Sequence, residues 1–353
     1  MSVATDLRID EVQLNPETIS RRRLPLNFDG ADLKLFEHEL ERAIPETTLL
    51  TLSDVRISPD GFLFKGLRIL TESFAFPANL LRWKLRARIK FFIENYVFRR
   101  ARNVGHDVLW VTDDWSTAYY HWLMDVMSRL VVMGDRLSQL RLLLPHTCAK
   151  LEFVHSSLRC FNLKSIEFIG PSEVLRVRTV VMPSHVAPAG HYNDDIIRRV
   201  RELMVRTLGG EANFKGNGEC IYISRARTSK RRIANEAEVV EVLQRLCFLT
   251  VYAEQMSLEE QVKLFSRTRY LVSNHGAGLA NMLFAPEGAN VLELRLNGDS
   301  HRNFYFSLAS ALNQNYFYQT CPPAAHDVDQ HVADVIVDTV ALEKNVGRLL
   351  TME

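Results

Sequence analysis

The sequence predicts an α/β protein made of two Rossmann-like domains. Two observations lead to this prediction. Short apolar runs of strand length alternate with segments of helical apolar spacing, and they do so in two separate series. A polar, glycine-rich segment at 209–219 divides the two series, which predicts one domain at 1–208 and a second at 209–353. Two such domains would face a central cleft, where ligands bind beyond the carboxyl ends of the strands.

The N-terminal series opens with a predicted β-hairpin extension. Apolar residues alternate at 50–57 and again at 62–69, and Ser58-Pro-Asp-Gly61 between them is a typical turn sequence. The alternation after the hairpin predicts a mostly parallel sheet covered by helices. The predicted elements are strands at Val108–Val111, Leu140–Leu144, Ile166–Ile169 and Val177–Met182, and a helix at Trp122–Leu137.

The C-terminal series has the same alternation and starts with a strand at Ile221. Ser257 and Glu260 have the spacing of a capping box, which predicts a helix start. The other predicted elements are helices at Glu236–Leu246, Ser257–Ser266 and Phe304–Leu312, and strands at Leu249–Tyr252, Tyr270–Ser273 and Val291–Leu294.

Composition excludes several function classes. The 353 residues are 47% hydrophobic and 24% charged, as in an ordinary globular protein, and the net charge of +1 provides no general attraction for nucleic acid. The five cysteines are scattered and none has Cys-x-x-Cys spacing, so neither a disulfide framework nor a zinc site is indicated. We therefore expect no nucleic-acid partner. A homo-oligomer is compatible with this composition.

The expected location is the cytoplasm, because the N-terminus is too polar for a signal peptide and no apolar run approaches a membrane span. Residues 80–102 complicate this expectation, since they carry eight basic residues against the single acid Glu94, with aromatic residues between them. The segment is either a basic helix on the inner face of an anionic membrane or a solvated helix packed on the core.

The segment Tyr270-Leu-Val-Ser-Asn-His-Gly-Ala-Gly-Leu-Ala-Asn281 is the most informative part of the chain. It has the pattern of a buried strand that feeds a glycine-rich turn and then a helix. Gly276 and Gly278 allow close approach of a ligand to the backbone, and the helix start favours a phosphate or diphosphate. His275 adds a hydrogen-bond donor. The alternative is a tight turn whose glycines serve packing alone.

Basic residues also follow the strand at Ile221. Arg225, Arg227, Lys230, Arg231 and Arg232 lie between this strand and the next predicted helix. Guanidinium groups at a strand end can neutralise a nucleoside diphosphate as it leaves. The alternative is a solvated surface loop.

A possible proton acceptor lies in the N-terminal series. His121 and Asp125 are four residues apart on one predicted helical face, directly after a strand. Either residue can act as the base for an acceptor hydroxyl while the other orients it. The alternative is a structural hydrogen bond.

No metal site is predicted. The only Asp-x-Asp spacing is Asp327-Val-Asp329, in a polar stretch typical of a surface loop. With arginines and His275 available, a metal is not needed for charge neutralisation. His185 and His191 have no ligand-like partners and are interpreted as loop or cleft-lining residues.

These motifs together resemble glycosyltransferase family 61. The resemblance is carried by His275-Gly-Ala-Gly-Leu-Ala-Asn281 with Val291-Leu-Glu-Leu294, by Ile223-Ser-Arg225 with Arg231 and Asn235-Glu236, and by His121-Trp-Leu-Met-Asp125. It implies a GT-B-like fold of two Rossmann domains, a nucleotide-sugar donor, no cofactor, and inversion at the anomeric carbon in one displacement. The absence of an anchor segment makes the chain more similar to bacterial members of capsule or exopolysaccharide assembly.

The resemblance also implies roles for single residues. Asp125 or His121 would be the catalytic base, and Glu293 would reach the ribose or orient the loop. Ala280 and the pair Ser273-Asn274 depart from the usual family pattern. The residues that would bind the donor are Arg225, Arg231, Asn274, His275, Gly276, Ala277, Gly278, Leu279 and Asn281.

The sequence thus predicts an inverting glycosyltransferase that moves a sugar from a nucleoside diphosphate sugar to a hydroxyl of a glycan or glycolipid in polysaccharide biosynthesis. A second hypothesis is a non-catalytic subunit that binds nucleotide sugar or glycan within a polysaccharide assembly complex. A third is a peripheral membrane scaffold built around residues 80–102.

Overall fold

A computed structural model describes residues 8–211, 218–325, 329 and 332–352. The described chain forms two compact units. Unit 1 contains the described residues up to Thr18 together with Ile44–Ala189. Unit 2 contains Ile19–Ala43 and the described residues from Gly190 onward.

The described residues contain sixteen strands. They are β1 (Arg8–Asn15), β2 (Thr18–Arg21), β3 (Glu41–Ile44), β4 (Thr47–Ile57), β5 (Leu63–Lys65), β6 (Arg68–Ile69), β7 (Arg100–Val104), β8 (Val108–Leu109), β9 (Arg141–Leu144), β10 (Ser165–Phe168), β11 (Glu173–Pro183), β12 (Glu219–Ile223), β13 (Leu249–Val251), β14 (Thr268–Asn274), β15 (Asn290–Leu296) and β16 (Asn315–Cys321).

The α-helices are α1 (Leu33–Phe36), α2 (Asn79–Arg82), α3 (Leu85–Ile93), α4 (Tyr119–His121), α5 (Met127–Met133), α6 (Glu152–Leu158), α7 (Asp194–Thr207), α8 (Glu236–Arg245), α9 (Leu258–Phe265), α10 (Phe304–Ala311) and α11 (Thr339–Leu350). α3 continues as a π-helical turn at Glu94–Phe98, and α4 is joined to α5 by another at Trp122–Val126.

Unit 1 is organised around a nine-stranded mixed sheet. Its main order is β10-β9-β8-β11-β4-β5-β6, with β1 paired to β4 and β7 paired to β11. The half formed by β10, β9, β8, β11 and β7 is parallel, whereas β4 runs antiparallel to β11, β1 and β5. The expectation of a mostly parallel sheet is therefore correct for one half only.

The predicted hairpin is present, but it is not an extension. β4 and β5 pair antiparallel through Ile57 and Leu63, as the alternation predicts. β4 also pairs with β11 from Ile57 to Leu49. Its apolar face, which includes Leu52 and Val55, belongs to the core of unit 1 together with Trp110. The hairpin is an integral part of the sheet because its inner side chains fill that core.

Unit 2 contains a five-stranded parallel sheet in the order β13-β12-β14-β15-β16. In chain order this is 2-1-3-4-5, a doubly wound topology in which the carboxyl ends of neighbouring strands form the usual ligand edge. The mixed α/β class is thus confirmed. β16, α7 and α11 are additional to the predicted elements.

The capping box predicted for α9 is present, because the Ser257 side chain accepts from the Glu260 amide and the Glu260 carboxylate accepts from the Ser257 amide. The helix predicted after the glycine-rich turn differs. Ala277–Leu283 forms a 3-10 helix of seven residues rather than an α-helix.

The boundary between the units differs from the predicted boundary at 208/209. α7 precedes the polar segment but packs in unit 2, where the Arg198 and Arg201 side chains donate to the carbonyls of Ala311 and Ala285. Residues 19–43 also belong to unit 2, because Phe36 is fully buried against Phe306 at a ring distance of 5.0 Å. Amphipathic spacing cannot reveal which sheet a helix covers.

Within the described ranges, no helix combines the length and the apolar content that crossing a bilayer requires.

Candidate functional site

The central strands of unit 2 bring the predicted site residues to one edge. β12 and β14 pair in parallel with Ile223 opposite Ser273, and β14 and β15 pair with Ser273 opposite Glu293. Arg225 therefore follows the end of one strand at the level where His275 follows the end of the next. Parallel pairing explains why two motifs fifty residues apart in sequence meet in space.

Arg225 is buried and lies against the glycine-rich turn. Its Nε and Nη2 atoms donate to the carbonyls of Arg231 and Lys230 at 3.0 and 3.1 Å. The third guanidinium nitrogen, Nη1, lies over Gly276, in space that any β-carbon at that position would occupy. Gly276 is thus needed for close approach to a side chain rather than for an unusual backbone angle.

The loop from Arg225 to Arg231 is fixed from two sides. The Arg231 carbonyl accepts from Arg225 Nε and also from the Asn274 side-chain amide, at 2.9 Å. Arg231 itself has a left-handed backbone, with φ of 55°. Asn274, a departure from the family pattern, therefore holds the arginine loop to the end of β14.

Positive charge accumulates at this edge without matching negative charge. In the described part of the chain neither Arg225 nor Arg231 has a carboxylate partner, and Arg231 Nε is buried without a hydrogen bond. Burial lowers the pKa of Arg225, and the charge of Arg231 lowers that pKa further. Burial likewise lowers the pKa of Arg231, with a further contribution from Arg302. Unpaired buried cations are costly unless an anion binds beside them.

A narrow pocket opens beside these cations within unit 2. It is lined by Arg231, Asn274, His275, Leu296, Asp299, Arg302, Ala333 and Val335. Arg302 is paired with Asp299 at 2.7 Å. The pocket therefore presents Arg231 and His275 as the groups whose charge or donors remain available to a ligand.

His275 is oriented by a buried acid. Its Nδ1 donates to Glu293 Oε1 at 2.5 Å, and Tyr316 donates to Glu293 Oε2 at 2.5 Å. Glu293 has no exposed surface, so it holds His275 in place rather than reaching outward. Burial lowers the pKa of His275 although Glu293 opposes this effect. A lowered pKa favours the neutral imidazole at neutral pH, with Nε2 unprotonated because Nδ1 donates to Glu293.

The turn after His275 supplies backbone donors. The amides of Gly276, Ala277 and Gly278 donate no hydrogen bond within the described part of the chain, and the first bond of the turn runs from the Leu279 amide to the Gly276 carbonyl. Tyr305 donates to the same carbonyl at 2.6 Å. Successive free amides beside two arginines are groups that can bind an anion.

Unit 1 contains the predicted proton acceptor. His121 Nδ1 donates to Asp125 Oδ2 at 2.8 Å, and both side chains are partly exposed. The π-helical turn Trp122–Val126 lies between them, and such turns are frequent at functional sites. The Trp115 ring covers the imidazole, with centroids 4.7 Å apart.

A second histidine–aspartate pair was not foreseen from the sequence. His185 Nε2 donates to Asp113 Oδ2 at 2.8 Å, which corrects the interpretation of His185 as a loop residue without a partner. Asp113 follows β8 and His185 follows β11, and these strands are parallel neighbours. The sequence feature that could have revealed this pair is the position of Asp113 and His185, each just beyond a predicted strand.

The Asp113 carboxylate is buried but stays ionised. Burial raises its pKa, but the His185 hydrogen bond and charge, the charge of Arg129, and the Trp115 amide outweigh burial and lower the pKa to about 2. Arg129 is fully buried and donates to the carbonyls of Pro183 and Val111, which ties together the same two strand ends. These hydrogen bonds hold the carboxyl ends of β8 and β11 together in unit 1.

His191 also has partners. It lies 3.2 Å from Arg22 and 3.4 Å from Glu39, all within unit 2. Burial lowers its pKa to about 4. His191 does lie in a loop, but the prediction that it has no partners is wrong, because residues 19–43 fold back onto it.

Residues 119–292, just under half of the chain, match the model of the family Glycosyltransferase 61. The matched segment includes the His121–Asp125 pair, the arginine loop and the glycine-rich turn, so all the predicted site residues before Glu293 fall inside it.

Curated relatives support the same family. The chain is 33% identical over 145 residues to protein O-linked-mannose beta-1,4-N-acetylglucosaminyltransferase 2 of Canis lupus familiaris, covering 39% of this chain and 24% of the relative. The protein of that name in Bos taurus is 40% identical over the same coverage, and that in Homo sapiens is 36% identical over 28% of this chain and 17% of the relative. The chain thus spans at most about a quarter of these relatives, which are animal proteins.

Two residues that the family 61 resemblance assigns to donor binding are interior in this structure. Leu279 and Asn281 have no exposed surface. The Asn281 amide donates to Gln261 at 2.8 Å and to the Gly278 carbonyl at 3.0 Å. Leu279 and Asn281 thus pack inside the turn, whereas Ala277 and Gly278 are partly exposed at its surface.

In the described residues, no group of three or more His, Cys, Asp or Glu side chains is arranged to share a metal ion. The Asp327-Val-Asp329 motif lies partly outside the described residues, because Asp327 is not among them. Independence from metal therefore stays a prediction of the sequence.

Proposed function

We propose that this chain is an inverting glycosyltransferase that uses a nucleoside diphosphate sugar. The observation that carries the proposal is the buried Arg225 and the partly exposed Arg231, neither with a carboxylate partner in the described residues, beside His275 and the free amides of the glycine-rich turn. This arrangement complements two linked phosphates, because guanidinium groups and amides can each bind separate phosphate oxygens.

The charge of the leaving group increases as the sugar departs. Arg225 is held rigidly by two backbone carbonyls, and Asn274 holds the loop that carries Arg231. Donors fixed before the reaction stabilise developing charge without reorganisation. Arg225, Arg231, His275 and the amides of residues 276–278 therefore bind the diphosphate, while Glu293, Leu279 and Asn281 keep them in position. No divalent metal is needed in this proposal.

The acceptor hydroxyl loses its proton as it attacks. In one displacement the hydroxyl oxygen forms a bond to the anomeric carbon, the bond from that carbon to the diphosphate oxygen breaks, and the hydroxyl proton passes to the base. We assign the base to the pair His121–Asp125. Because Nδ1 donates to Asp125, the other ring nitrogen of His121 is available as the acceptor.

The relatives guide the choice of substrate. Their name specifies transfer of N-acetylglucosamine to O-linked mannose in a beta linkage. A beta product is what inversion of an alpha-linked nucleotide sugar gives. For this chain we propose transfer of a hexosyl or pentosyl unit to a hydroxyl of a glycan or glycolipid, in polysaccharide biosynthesis in the cytoplasm. We also propose a GT-B-like fold of two Rossmann domains and the bacterial capsule subtype of the family.

Thermal unfolding with a panel of nucleoside diphosphates and nucleotide sugars tests the donor site. A ligand that binds only the folded protein raises the melting temperature. We expect at least one nucleoside diphosphate to do so, and we expect Arg225→Ala and Arg231→Ala to weaken its binding about a hundredfold each. Arg245→Ala, which removes an exposed arginine of α8, is the matched control.

Equal nucleotide affinity in all three variants would refute the diphosphate site. Slow release of nucleoside diphosphate from the donor sugar then separates an enzyme from a non-catalytic binding subunit. Tight donor binding without any hydrolysis or transfer would favour the binding subunit.

A further inference from the structure

The helical segment 79–98 of unit 1 exposes a continuous apolar stripe. Leu85, Ile89, Ile93 and Val97 recur every four residues along α3 and the π-helical turn, so they lie on one face. All four are exposed, Leu85 at 72% and Val97 at 70%. Leu81 and Phe98 extend the stripe at its two ends, at 81% and 76%. We call these six residues the apolar stripe.

The stripe is separate from the face that holds the helix on the protein. Phe91 is buried and packs with Phe64 and Phe74, while Trp83 and Phe92 pack against the same cluster. The side chain of Asn95, also buried, donates to the Phe91 carbonyl. The helix thus has an inner apolar face that anchors it and an outer apolar face that is largely exposed within the described part of the chain. Stability of the fold does not account for the outer face.

Cations flank the stripe along its length. The exposed basic residues of 82–100 are Arg82, Lys84, Arg86, Lys90 and Arg100, and Arg88 and Arg99 are partly exposed. The one acidic residue of this segment, Glu94, lies 3.7 Å from Lys90. Arg99 is paired with Asp60 at 3.2 Å, whereas Arg82, Lys84, Arg86 and Arg100 have no carboxylate partner in the described part of the chain. An exposed apolar stripe bordered by this excess of positive charge is complementary to an anionic lipid surface, where apolar groups enter the acyl boundary and cations meet headgroups.

A neighbouring turn continues the same surface. Tyr96 donates through its hydroxyl to the Gly66 carbonyl at 2.8 Å, so the turn between β5 and β6 lies beside the C-terminal end of the stripe. The next residue, Leu67, is 77% exposed, and Arg68 is exposed beside it. Two separate elements therefore present apolar and basic side chains in one area.

We propose that the apolar stripe, together with Leu67, docks unit 1 on an anionic membrane surface. The charge distribution decides between this partner and a second copy of the chain. Two copies of this face would bring together two sets of unpaired cations, and like charges oppose such a contact. Single exposed apolar residues are common on monomers, whereas four aligned along one helical segment with two more at its ends indicate an interaction surface.

Co-sedimentation of the full chain with vesicles tests the proposal. We expect binding to vesicles that contain phosphatidylserine and weak binding to pure phosphatidylcholine. Leu85→Ser and Val97→Ser should each weaken the binding about tenfold, because each removes an apolar side chain from the acyl boundary. Arg82→Glu with Arg86→Glu should weaken binding more than tenfold and make the residual binding insensitive to salt.

Val340→Ser is the matched control, because Val340 of α11 is exposed at 77% and lies in unit 2. Circular dichroism should show unchanged folding in all variants, since every substituted side chain is exposed. Unchanged nucleotide binding keeps this test separate from the donor-site proposal. Equal binding of wild type and stripe variants to both vesicle types would overturn the proposal. So would a dimer in solution that the stripe variants dissociate, in the absence of vesicle binding.

Discussion

The guanidinium group of Arg225 lies directly over the α-carbon of Gly276. The two residues follow neighbouring parallel strands, and a β-carbon at position 276 would overlap Nη1, Cζ and Nε of the arginine. The backbone of Gly276 is extended, with φ of 165°, so any residue could adopt it. The glycine is required because the arginine occupies the space above it.

Gly276→Ala should therefore displace Arg225 without unfolding the protein. The group that must move is the far end of a flexible side chain, so we expect little change in the melting temperature. The loss of one positioned guanidinium should weaken nucleoside diphosphate binding about ten- to a hundredfold, measured by calorimetry. Gly347→Ala, where nothing lies within 4 Å of the added methyl group, should bind as wild type does. Unchanged affinity in Gly276→Ala would contradict the role of Arg225.

Donor binding should be coupled to proton uptake at His275. Burial lowers the pKa of the His275 imidazole, and its Nδ1 already donates to Glu293. Nε2 can donate to a phosphate only when the ring is protonated, and the phosphate charge raises its pKa in the complex. Affinity should therefore fall as pH rises between the two pKa values, by up to about tenfold per pH unit.

Calorimetry in buffers of different ionisation enthalpy measures this uptake directly. His275→Gln removes the titrating group and should abolish the proton uptake. The nucleotide should still bind to this variant, although more weakly than to the wild type. Proton release on binding, or identical uptake in the glutamine variant, would rule out this coupling.

The His121–Asp125 pair should affect turnover rather than donor affinity. Asp125→Asn cannot accept charge from the imidazole, and His121→Ala removes the acceptor nitrogen. Each should lower kcat about a hundredfold or more, the usual contribution of a positioned base. Nucleoside diphosphate affinity, measured in parallel, should stay within a few-fold. A large loss of donor affinity with normal kcat would show that the pair is structural.

Asp113 should stabilise the fold in a manner that depends on pH. Its pKa of about 2 in the folded protein lies below the ordinary value of 3.8, so the carboxylate contributes stability above about pH 4. That contribution, about 2 kcal/mol, is lost as pH falls through about 2. Asp113→Asn should thus be less stable than wild type near neutral pH in urea unfolding.

The difference in free energy of unfolding should shrink at low pH, because the wild-type carboxylate becomes protonated there. Asp135→Asn removes an exposed carboxylate and should cost little at any pH. A constant difference for Asp113→Asn across the whole range would mean that its charge does not contribute.

The C-terminal sheet was predictable because its strands are short apolar runs followed at once by polar turns. Ile221–Ile223 ends before Arg225 and Leu271–Ser273 ends before His275, so parallel pairing alone predicts that the two motifs meet. The mixed sheet of unit 1 was not predictable to the same degree. β4 has an obvious hairpin partner in β5, and nothing in its alternation reveals its longer pairing with β11.

Parts of the site depend on contacts that sequence spacing does not encode. Asp113 and His185 are 72 residues apart, and only the pairing of β8 with β11 joins them. The 3-10 helix after Gly276 has the apolar spacing of an α-helix, so the spacing alone does not reveal its tighter winding. Asn274 was predicted as a donor-binding residue, but its hydrogen bond to the Arg231 carbonyl could not be predicted, because any residue has a backbone carbonyl and sequence does not show which one is near.

The path of the chain has a practical consequence for dissecting this protein. The polypeptide passes between its two units three times, after Thr18, after Ala43 and after Ala189. A fragment that starts at Gly190 would lack Phe36, whose ring packs on Phe306 and Tyr318, and would lack the partners of His191. Excising unit 2 in a foldable form therefore requires grafting Ile19–Ala43 onto it through an engineered linker.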